Sequence, residues 1–545
     1  MTRLLCGAVA TLASFAALGQ TPAINSASPA AAAPGKSTEI TLSGAALADV
    51  TDVWTSFGGK GSVVAEKKSP AGDRAVVGIE LPGDAPAQVG AIRVATRGGA
   101  SNLLPFLVDD LPTVAEAGGN HVSSSAQVMT PPVAVDGACD PLASDHFRFS
   151  ARKGERVAIE VVAARIGSPL DPVIRLLDSS GRELAWCDDA AGAAPDARLS
   201  HTFAADGDYV IELRDVNHDG GPQHRYRLRV GDFPLASAPY PLGAKRGAGA
   251  TFTFLGDDCA AAAPVTAQLP QEGRRAALAV KHAGGASSGF ASVVPDDLDE
   301  ATETEPNDAL DSATPLAVPS AVSGRLDPVR DRDHFAVQGK KGQRVLLRAR
   351  TRSLGLPCDV LLQLFKPDGS RLAASKVEGA AEGSLDATFP DDGVYRLRVE
   401  DLTGAGGPGL GYRIEAEPFR PGFALSVEAD KVDAKAGGQF EIKVTCARRD
   451  YGGPINLTVD GIGPGVGVEG NVVAEGKNET QLKVKLPADL KAGKLVHFQI
   501  RGTGKAGDEE IIATASTMPA LRKLFPGLLY PPEELDGQIA LGVRE

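Results

Sequence analysis

The segment from Glu303 to Asp308 carries the residues in this chain that are best suited to chemistry. It reads Glu-Thr-Glu-Pro-Asn-Asp, so oxygen-bearing side chains recur at Glu303, Glu305 and Asn307, with Asp308 beside the last of them. Carboxylate and amide oxygens at alternate positions of an extended segment can converge on one hard cation, and calcium prefers such ligands. We therefore predict a calcium site here. The alternative is a solvated acidic linker that continues the acidic run 296–300.

The histidines supply no comparable motif. The chain has eight of them, and none forms His-Glu-x-x-His. His146 and His334 recur at equivalent places in two similar segments, which makes them the strongest catalytic candidates. Each stands before a Phe at the start of an apolar strand without the partners that a general base needs, so we interpret both as packing residues. We therefore predict that the protein is not an enzyme.

Two other polar patterns have a simpler structural interpretation. Residues 215–220 spell Asp-x-Asn-x-Asp-Gly, the first half of a helical calcium loop, but Tyr226 stands where that loop needs a bidentate Glu. We interpret 215–220 as a polar hairpin loop. A set of arginines could grip an acidic polysaccharide or protein, although a solvated β face with cross-strand Asp and Glu partners is the preferred interpretation. Its members are Arg344, Arg348, Arg350, Arg352, Arg396 and Arg398.

The elements that position these residues are β-strands of a module that occurs twice. Residues 145–234 and 333–419 align at an offset of 188, which becomes 186 after a two-residue deletion. In both copies apolar and polar residues alternate between Asp-Gly and Ser-Gly turns, which indicates half-buried antiparallel strands. About seven such strands in roughly 100 residues predict a β-sandwich. Four aligned pairs should then be buried: Val157/Val345, Ile174/Leu362, Phe203/Phe389 and Tyr209/Tyr395.

For the whole chain we predict an all-β fold, an elongated multidomain string of antiparallel β-sandwiches. At 545 residues, about four or five domains are expected. The predicted units are a signal peptide (1–19), an immunoglobulin-like sandwich (20–110), the first repeat with its lead-in (113–234), a small β unit (235–295), an acidic linker (296–302), the second repeat with its lead-in (303–419), a second immunoglobulin-like sandwich (422–517) and a C-terminal tail (518–545).

The N-terminus and the composition indicate secretion. Residues 1–19 combine Arg3, a short apolar run and small residues before Gly19, which is the pattern of a secretory signal. That run is too short to span a bilayer, and no later run approaches the roughly 20 apolar residues required. We expect a soluble secreted protein, extracellular, periplasmic or at the cell surface, without a membrane span. The net charge of −13 gives no support for binding to nucleic acid.

The cysteines do not define a disulfide framework. Without Cys6, which lies in the predicted signal, an odd number remains, and the repeats share none of them. We interpret the remaining five as isolated small apolar residues, with a structural bridge as the alternative. They are Cys139, Cys187, Cys259, Cys358 and Cys446.

The two repeats resemble the bacterial pre-peptidase C-terminal domain family. In the second repeat the resemblance rests on Glu-Pro-Asn-Asp at 305–308, Asp-Arg-Asp-His-Phe at 331–335 and Asp-Gly-Val-Tyr-Arg-Leu-Arg-Val at 392–399. The first repeat departs from the pattern, since its lead-in at 115–120 lacks the Glu-Pro-Asn-Asp element. The resemblance implies non-catalytic β-sandwiches of secreted proteins. It also implies a calcium site in which Asp331 or Asp333 joins Glu303, Glu305, Asn307 and Asp308.

Residues 20–110 resemble the immunoglobulin-like TIG family, a small β-sandwich that serves as a spacer or binding module. The resemblance rests on Pro34-Gly35, Leu42-Ser43-Gly44 and the segment Gly99-Ala100-Ser101-Asn102.

Together these features predict a non-catalytic protein for binding, adhesion or presentation at the bacterial cell surface. Its partner would be an unknown protein or polysaccharide of the cell envelope or matrix. The alternative is an accessory or orphaned non-catalytic appendage of a secreted peptidase system. Aromatic residues make up 5% of the chain and only two are Trp, which argues against a dedicated glycan-binding module.

Overall fold

The structure is a computed structural model of the chain, and it describes residues 20–545 except 65, 66, 68, 70, 194, 258 and 377–381. The predicted signal peptide lies outside the described residues. The described residues form 45 strands and a single short α-helix, so the predicted all-β, multidomain sandwich fold is confirmed. No helix in this part of the chain is long and apolar enough to cross a membrane.

The N-terminal sandwich packs two sheets around a core that includes Ile40, Val77 and Phe106. The sheet orders are β1-β3-β6-β5 and β2-β9-β7-β4, with β8 paired to β7. The strands are β1 (Ala23–Ser28), β2 (Ala31–Ala32), β3 (Ser37–Ala45), β4 (Asp52–Thr55), β5 (Lys60–Val63), β6 (Arg74–Glu80), β7 (Gln88–Thr96), β8 (Gly99–Ala100) and β9 (Leu104–Val108).

The first repeat consists of two five-stranded sheets, ordered β10-β12-β19-β14-β17 and β11-β13-β18-β15-β16. Its strands are β10 (Thr113–Ala115), β11 (Gln127–Val128), β12 (Val133–Ala138), β13 (Asp145–Ala151), β14 (Arg156–Val162), β15 (Pro172–Asp178), β16 (Glu183–Cys187), β17 (Arg198–Thr202), β18 (Gly207–Asp215) and β19 (Arg225–Gly231).

The middle unit is smaller, with three-stranded sheets ordered β20-β22-β23 and β21-β25-β24 around Phe252 and Val293. Its strands are β20 (Leu235–Tyr240), β21 (Gly243–Lys245), β22 (Gly249–Asp257), β23 (Val265–Gln268), β24 (Ala276–Val280) and β25 (Gly289–Asp296).

The second repeat has the strand order of the first, β26-β28-β35-β30-β33 and β27-β29-β34-β31-β32. All eight residues of the four aligned pairs are buried, which confirms the register of the repeat. Its strands are β26 (Glu300–Thr302), β27 (Thr314–Leu316), β28 (Ser320–Arg325), β29 (Asp333–Gly339), β30 (Arg344–Arg350), β31 (Val360–Phe365), β32 (Arg371–Ala374), β33 (Ser384–Thr388), β34 (Gly393–Asp401) and β35 (Gly411–Pro418).

The C-terminal sandwich has sheets ordered β36-β38-β42-β40 and β37-β45-β43-β39-β41, with β44 paired to β43. Its elements are β36 (Gly422–Ser426), β37 (Lys431–Lys435), β38 (Gln439–Arg449), β39 (Ile455–Asp460), β40 (Gly467–Glu469), β41 (Val472–Val473), β42 (Glu479–Lys485), β43 (Leu495–Ala506), β44 (Glu509–Thr514), α1 (Met518–Leu524) and β45 (Ile539–Arg544).

The separation of 518–545 as a tail is wrong for its last strand. β45 lies between β37 and β43 and pairs with both, and Ile539, Leu541 and Val543 are buried in the core of the C-terminal sandwich. The helix α1, in contrast, packs on the N-terminal sandwich, where Leu521 and Phe525 contact Leu103. The end of the chain therefore completes one domain and joins it to another.

The interpretation of 296–302 as an exposed linker is also wrong. Asp296 ends β25 and Glu300 begins β26, and both carboxylates bind the guanidinium of Arg413, at 2.8 and 2.9 Å. Arg413 is fully buried, and a buried guanidinium is stable only when carboxylates or other acceptors satisfy it. The acidic run supplies those partners and fixes the middle unit against the second repeat.

The expectation of an elongated string is not met, because the first and last sandwiches contact each other. Ala100 of β8 donates its backbone N–H to Asp433 at 2.7 Å and accepts a hydrogen bond from Lys431 at 2.6 Å. The backbone N–H of Glu545 donates to Arg97 O at 3.1 Å. Gly542 lies against Ala100 so closely that a side chain there would collide with the backbone. The domains therefore form a closed arrangement in which the first sandwich contacts the last.

Candidate metal centre

The lead-in of the second repeat brings three carboxylates to one point. The short strand β26 pairs in parallel with β28. Glu303, the residue after β26, therefore lies beside Arg325 at the end of β28 and accepts its backbone N–H at 2.6 Å. Asp333 is the first residue of β29, and Tyr412 on β35 donates its hydroxyl to Asp333 at 2.5 Å and lies 3.1 Å from Glu303. One carboxylate oxygen from each of Glu303, Glu305 and Asp333 lies within 4.8 Å of the others.

Asn307 lies next to this cluster with its side chain unsatisfied. The residue is fully buried, and neither its amide oxygen nor its amide nitrogen has a hydrogen-bond partner. Its backbone is fixed, since its N–H donates to Glu305 Oε2 at 2.9 Å and its carbonyl accepts from the His334 N–H at 3.1 Å. Oδ1 of Asp333 is likewise buried and without a partner. Buried polar atoms of this kind need an explanation, and an ion bound among them is one.

Asp308 and Asp331 form the far side of the same cluster. Burial and then the neighbouring carboxyl group of Asp308 raise the pKa of Asp331, and the charge of Glu305 adds to the shift. Asp331 is almost fully buried and also accepts the backbone N–H of Asp327 at 2.7 Å. All six residues predicted as ligands therefore belong to one region, with Glu303, Glu305 and Asp333 at its centre.

Burial and mutual repulsion disfavour the ionised form of three carboxylates in the cluster. Burial raises the pKa of Glu303 to about 7, and repulsion from Glu305 adds to the shift. Burial raises the pKa of Asp331 to about 6. The largest shift is at Asp333, where burial and then the charge of Glu303 raise the pKa to about 9. A hard cation would remove this repulsion and satisfy the unpaired oxygens, so Glu303, Glu305 and Asp333 could hold a metal ion.

The first repeat has a reduced form of the same site. Glu116 accepts the backbone N–H of Ala138 at 3.0 Å as Glu303 does that of Arg325, and Tyr226 donates to Asp145 at 2.9 Å as Tyr412 does to Asp333. Asn120 is buried like Asn307, but its amide, in the orientation that satisfies it, donates to Glu116 at 3.2 Å. Three carboxylates of the second repeat are replaced: Glu305 by Gly118, Asp308 by His121 and Asp331 by Ala143.

The imidazole of His121 lies between the acidic groups of the first repeat. Its two nitrogens are each 3.4 Å from a carboxylate oxygen, of Asp145 and of Asp140. His121 thus stands beside these carboxylates at the position that Asp308 takes in the second repeat. The correspondence of Glu116 with Glu303 and of Asn120 with Asn307, at a constant offset of 187, was the sequence signal for this paired site.

The other candidates from the sequence have structural roles. His146 and His334 are buried, and Nδ1 of each lies 3.2 Å from a backbone carbonyl oxygen, which fits packing. In the loop 215–220, Asp215 accepts the backbone N–H groups of Asn217 and Asp219 at 2.8 and 3.1 Å, as expected for a polar hairpin loop.

All six arginines of the outward-facing set have partners. Arg350, for example, contacts both carboxylate oxygens of Glu533 at 2.6 Å, and Arg348 pairs with Glu415 on the neighbouring strand. The preferred interpretation, a charge-paired β face, fits these contacts. The remaining contacts are Arg344 with Asp386 and Asp450, Arg352 with Asp359, Arg396 with the carbonyl of Leu310, and Arg398 with Glu400.

Comparison with known proteins gives short or remote similarities. No protein-family model matches the chain. The chain is 36% identical over 74 residues to a probable subtilase-type serine protease of Deinococcus radiodurans, which is 13% of this chain and 10% of that protein. The pre-peptidase C-terminal domain of collagenase from Bacillus anthracis aligns over 19% of this chain and 93% of its own, with 15% identity and a TM-score of 0.16.

A putative secreted protein from Eubacterium rectale aligns over 56% of this chain and 84% of its own, with 9% identity and a TM-score of 0.16. TM-scores this low carry no argument about function. The proteins named here are thus a probable serine protease, a collagenase domain and a putative secreted protein. The chain spans only about a tenth of the curated relative.

Proposed function

We propose that this is a secreted, non-catalytic protein that binds or presents at the bacterial cell surface, and that calcium stabilises its second repeat as a member of the pre-peptidase C-terminal domain family. The observation that carries the proposal is the convergence of Glu303, Glu305 and Asp333 beside the unsatisfied amide of Asn307. These carboxylates and the amide are suited to holding an ion, and the proposal assigns them that structural role.

The ion would act on the architecture of the repeat. Glu303 and Glu305 belong to the lead-in, whereas Asp333 begins a core strand, so a shared cation ties the lead-in to the sandwich. Without it the carboxylates of Glu303 and Asp333 repel one another or take up protons. Binding to the folded state alone stabilises that state by mass action. A rigid lead-in in turn fixes the middle unit, which is joined to the second repeat through Arg413.

The test of the calcium site is hydrogen exchange by mass spectrometry on the full chain, in calcium and in chelator. We expect calcium to slow exchange in the segment 303–308 and in β29, with no change in 116–121 of the first repeat. Glu305→Gln should weaken the response and Asp333→Asn should abolish it. His121→Ala is the matched control in the other repeat. Equal exchange of 303–308 in both conditions at millimolar calcium would contradict the site.

The test of the surface function is binding of the purified full chain to isolated cell envelope and matrix. We expect cosedimentation with one of these fractions. Protein that stays in the supernatant in every case would contradict a binding or presentation role, irrespective of the result for calcium.

A second candidate function is an accessory or orphaned appendage of a secreted peptidase system. The short identity with a probable subtilase-type serine protease favours it. In that case the chain should copurify with a secreted peptidase and change its yield or maturation. Unchanged peptidase activity in the culture supernatant of a deletion strain would argue against it.

A further inference from the structure

Trp186 differs from the other tryptophan of the chain in its exposure. Trp54 is half-buried and stacks on His497 with the ring centroids 4.4 Å apart. Trp186 is 58% exposed, the highest value for an aromatic residue among those described. An indole is the largest apolar side chain, and proteins place it at interfaces when it has a partner to bind. Its exposure leaves a face of the indole available to a ligand.

The position of Trp186 is set by regular structure. It lies on β16, the outermost strand of the sheet β11-β13-β18-β15-β16. Its neighbours Ala185 and Cys187 pack against the core of the first repeat. Side chains alternate along a strand, so the indole is held on the outer face of the sheet.

Polar groups continue from Trp186 across this face in one row. In the strand register Trp186 is opposite Arg175, Arg175 is opposite Glu212, and Glu212 is opposite His146. Four strands about 4.8 Å apart make the row about 14 Å long. Arg175 is fixed in place, because it donates to Glu212 at 3.0 Å and to Glu183 at 2.7 Å. Arg175 and Glu183 nevertheless remain 37% and 40% exposed.

We propose that Trp186, Arg175 and Glu183 form a platform for a neutral polysaccharide. The apolar face of a sugar ring can stack on the indole while its hydroxyls bind the guanidinium and carboxylate beside it. Arg175 and Glu183 form an ion pair, so together they offer hydrogen-bond donors and acceptors without a net charge. A protein partner is less suited, because the hot spots of protein interfaces lie in desolvated pockets, whereas this indole is beside open charged groups. The proposal rests on the surface-binding function and names its partner class.

The second repeat gives an internal contrast. Its corresponding row consists of Ala374, Gln363, Arg398 and His334. It has neither the indole nor an arginine at the position of Arg175. The platform thus belongs to the first repeat alone, and the small aromatic content of the chain, which argued against a dedicated glycan-binding module, does not exclude one such site.

The experiment uses the full chain, its Trp186→Ala variant and two insoluble neutral probes, microcrystalline cellulose and chitin. We expect the wild type to cosediment with at least one, and Trp186→Ala to lose about tenfold or more in affinity. Trp186→Tyr should retain part of the binding, because it keeps an aromatic face. Val128→Ala is the matched control, since Val128 is 74% exposed on β11, the opposite edge of the same sheet.

The outcomes separate this proposal from the broader one. If the wild type and Trp186→Ala bind a probe equally, the platform is wrong while binding at the surface stands. If no probe binds the wild type, a neutral polysaccharide partner is also wrong, and the envelope assay then shows whether the surface function survives. Loss of binding by Val128→Ala as well would assign the effect to the sheet as a whole and overturn the role of the indole.

Discussion

Glu212 lies between an imidazole and a guanidinium on the outer face of the first repeat. The hydrogen bond with His146, and then the contacts with Arg175, lower its pKa to about 2. The same pairing raises the pKa of His146 against the effect of burial. Because the folded state holds the carboxylate ionised, the stabilisation is complete above the unfolded pKa of about 4.5 and is lost as the pH falls toward 2.

Glu212→Gln should therefore destabilise the first repeat at pH 6, by at most about 3 kcal/mol, and by less than half as much at pH 3. Hydrogen exchange of β13 and β15 in the full chain at the two pH values measures the difference. Glu183→Gln is the control, because Glu183 contacts Arg175 but not His146 and is more exposed. An equal cost of Glu212→Gln at both pH values would show that the carboxylate is not held ionised by its neighbours.

For single residues, the sequence could predict the candidate metal ligands but not all the residues that position them. The spacing of Glu303, Glu305 and Asn307 is local, so it is visible in the chain itself. Tyr412 could not be predicted, because it reaches Asp333 from 79 residues away through the pairing of β28 with β35. His121 was missed for another reason: its role depends on what replaces the carboxylates of the second repeat, which only a comparison of the two folded sites shows.

The prediction of strands was most accurate for the core strands of the two repeats, which have one buried face. Alternation located the core strands of both repeats, since a shift by one residue would expose every apolar side chain. It did not predict that the lead-in strands β10 and β26 pair in parallel, because these are only three residues long and carry few apolar positions. Nor did it assign β45 to the C-terminal sandwich, since its partners β37 and β43 are distant in sequence.

Phe389 tests the core of the second repeat. The ring is fully buried and stacks at a tilt on Tyr395 with the centroids 4.2 Å apart. Phe389→Ala should destabilise the second repeat by roughly 3–5 kcal/mol, through lost burial and the cavity left behind. Calorimetry of the full chain should show one transition shifted. Val394→Ala, at a 39% exposed position of the neighbouring strand β34, should shift none. A change of a few tenths of a kcal/mol for Phe389→Ala would mean that the ring is not a core residue.

The units are joined by buried charges as well as by apolar contacts. The guanidinium of Arg229 lies between the rings of Phe233 and Phe290, 4.4 and 4.2 Å from their centroids, and binds Asp109 at the end of the N-terminal sandwich at 3.1 Å. Three units thus meet at one arginine. Such contacts between units could not be predicted from the sequence, because a buried Arg and an exposed Arg occupy the same alternating positions along a strand. They make the molecule a closed assembly whose domains hold one another in place.

The contact between the first and last sandwiches gives the test of that closure. Arg93 on β7 is 2% exposed and donates to the backbone carbonyl of Asp430 at 3.2 Å, and its guanidinium also pairs with the carboxylate of Asp430. Removing one partner of a buried pair leaves the other charge uncompensated, at a cost of about 3–5 kcal/mol. Arg93→Met should therefore weaken the junction and increase the radius of gyration measured by small-angle X-ray scattering.

Arg97→Met is the matched control for this prediction. Arg97 pairs with Glu545 at the same junction, but the two side chains are 61% and 50% exposed. Exposed ion pairs contribute about 0–1 kcal/mol, so this variant should scatter like the wild type. Closure through the buried pair predicts expansion for Arg93→Met alone. Identical scattering of both variants and the wild type would show that the backbone contacts of Ala100 and Glu545 hold the first and last sandwiches together without the buried pair. Equal expansion of both variants would instead show that the exposed ion pair contributes as much to the junction as the buried pair does.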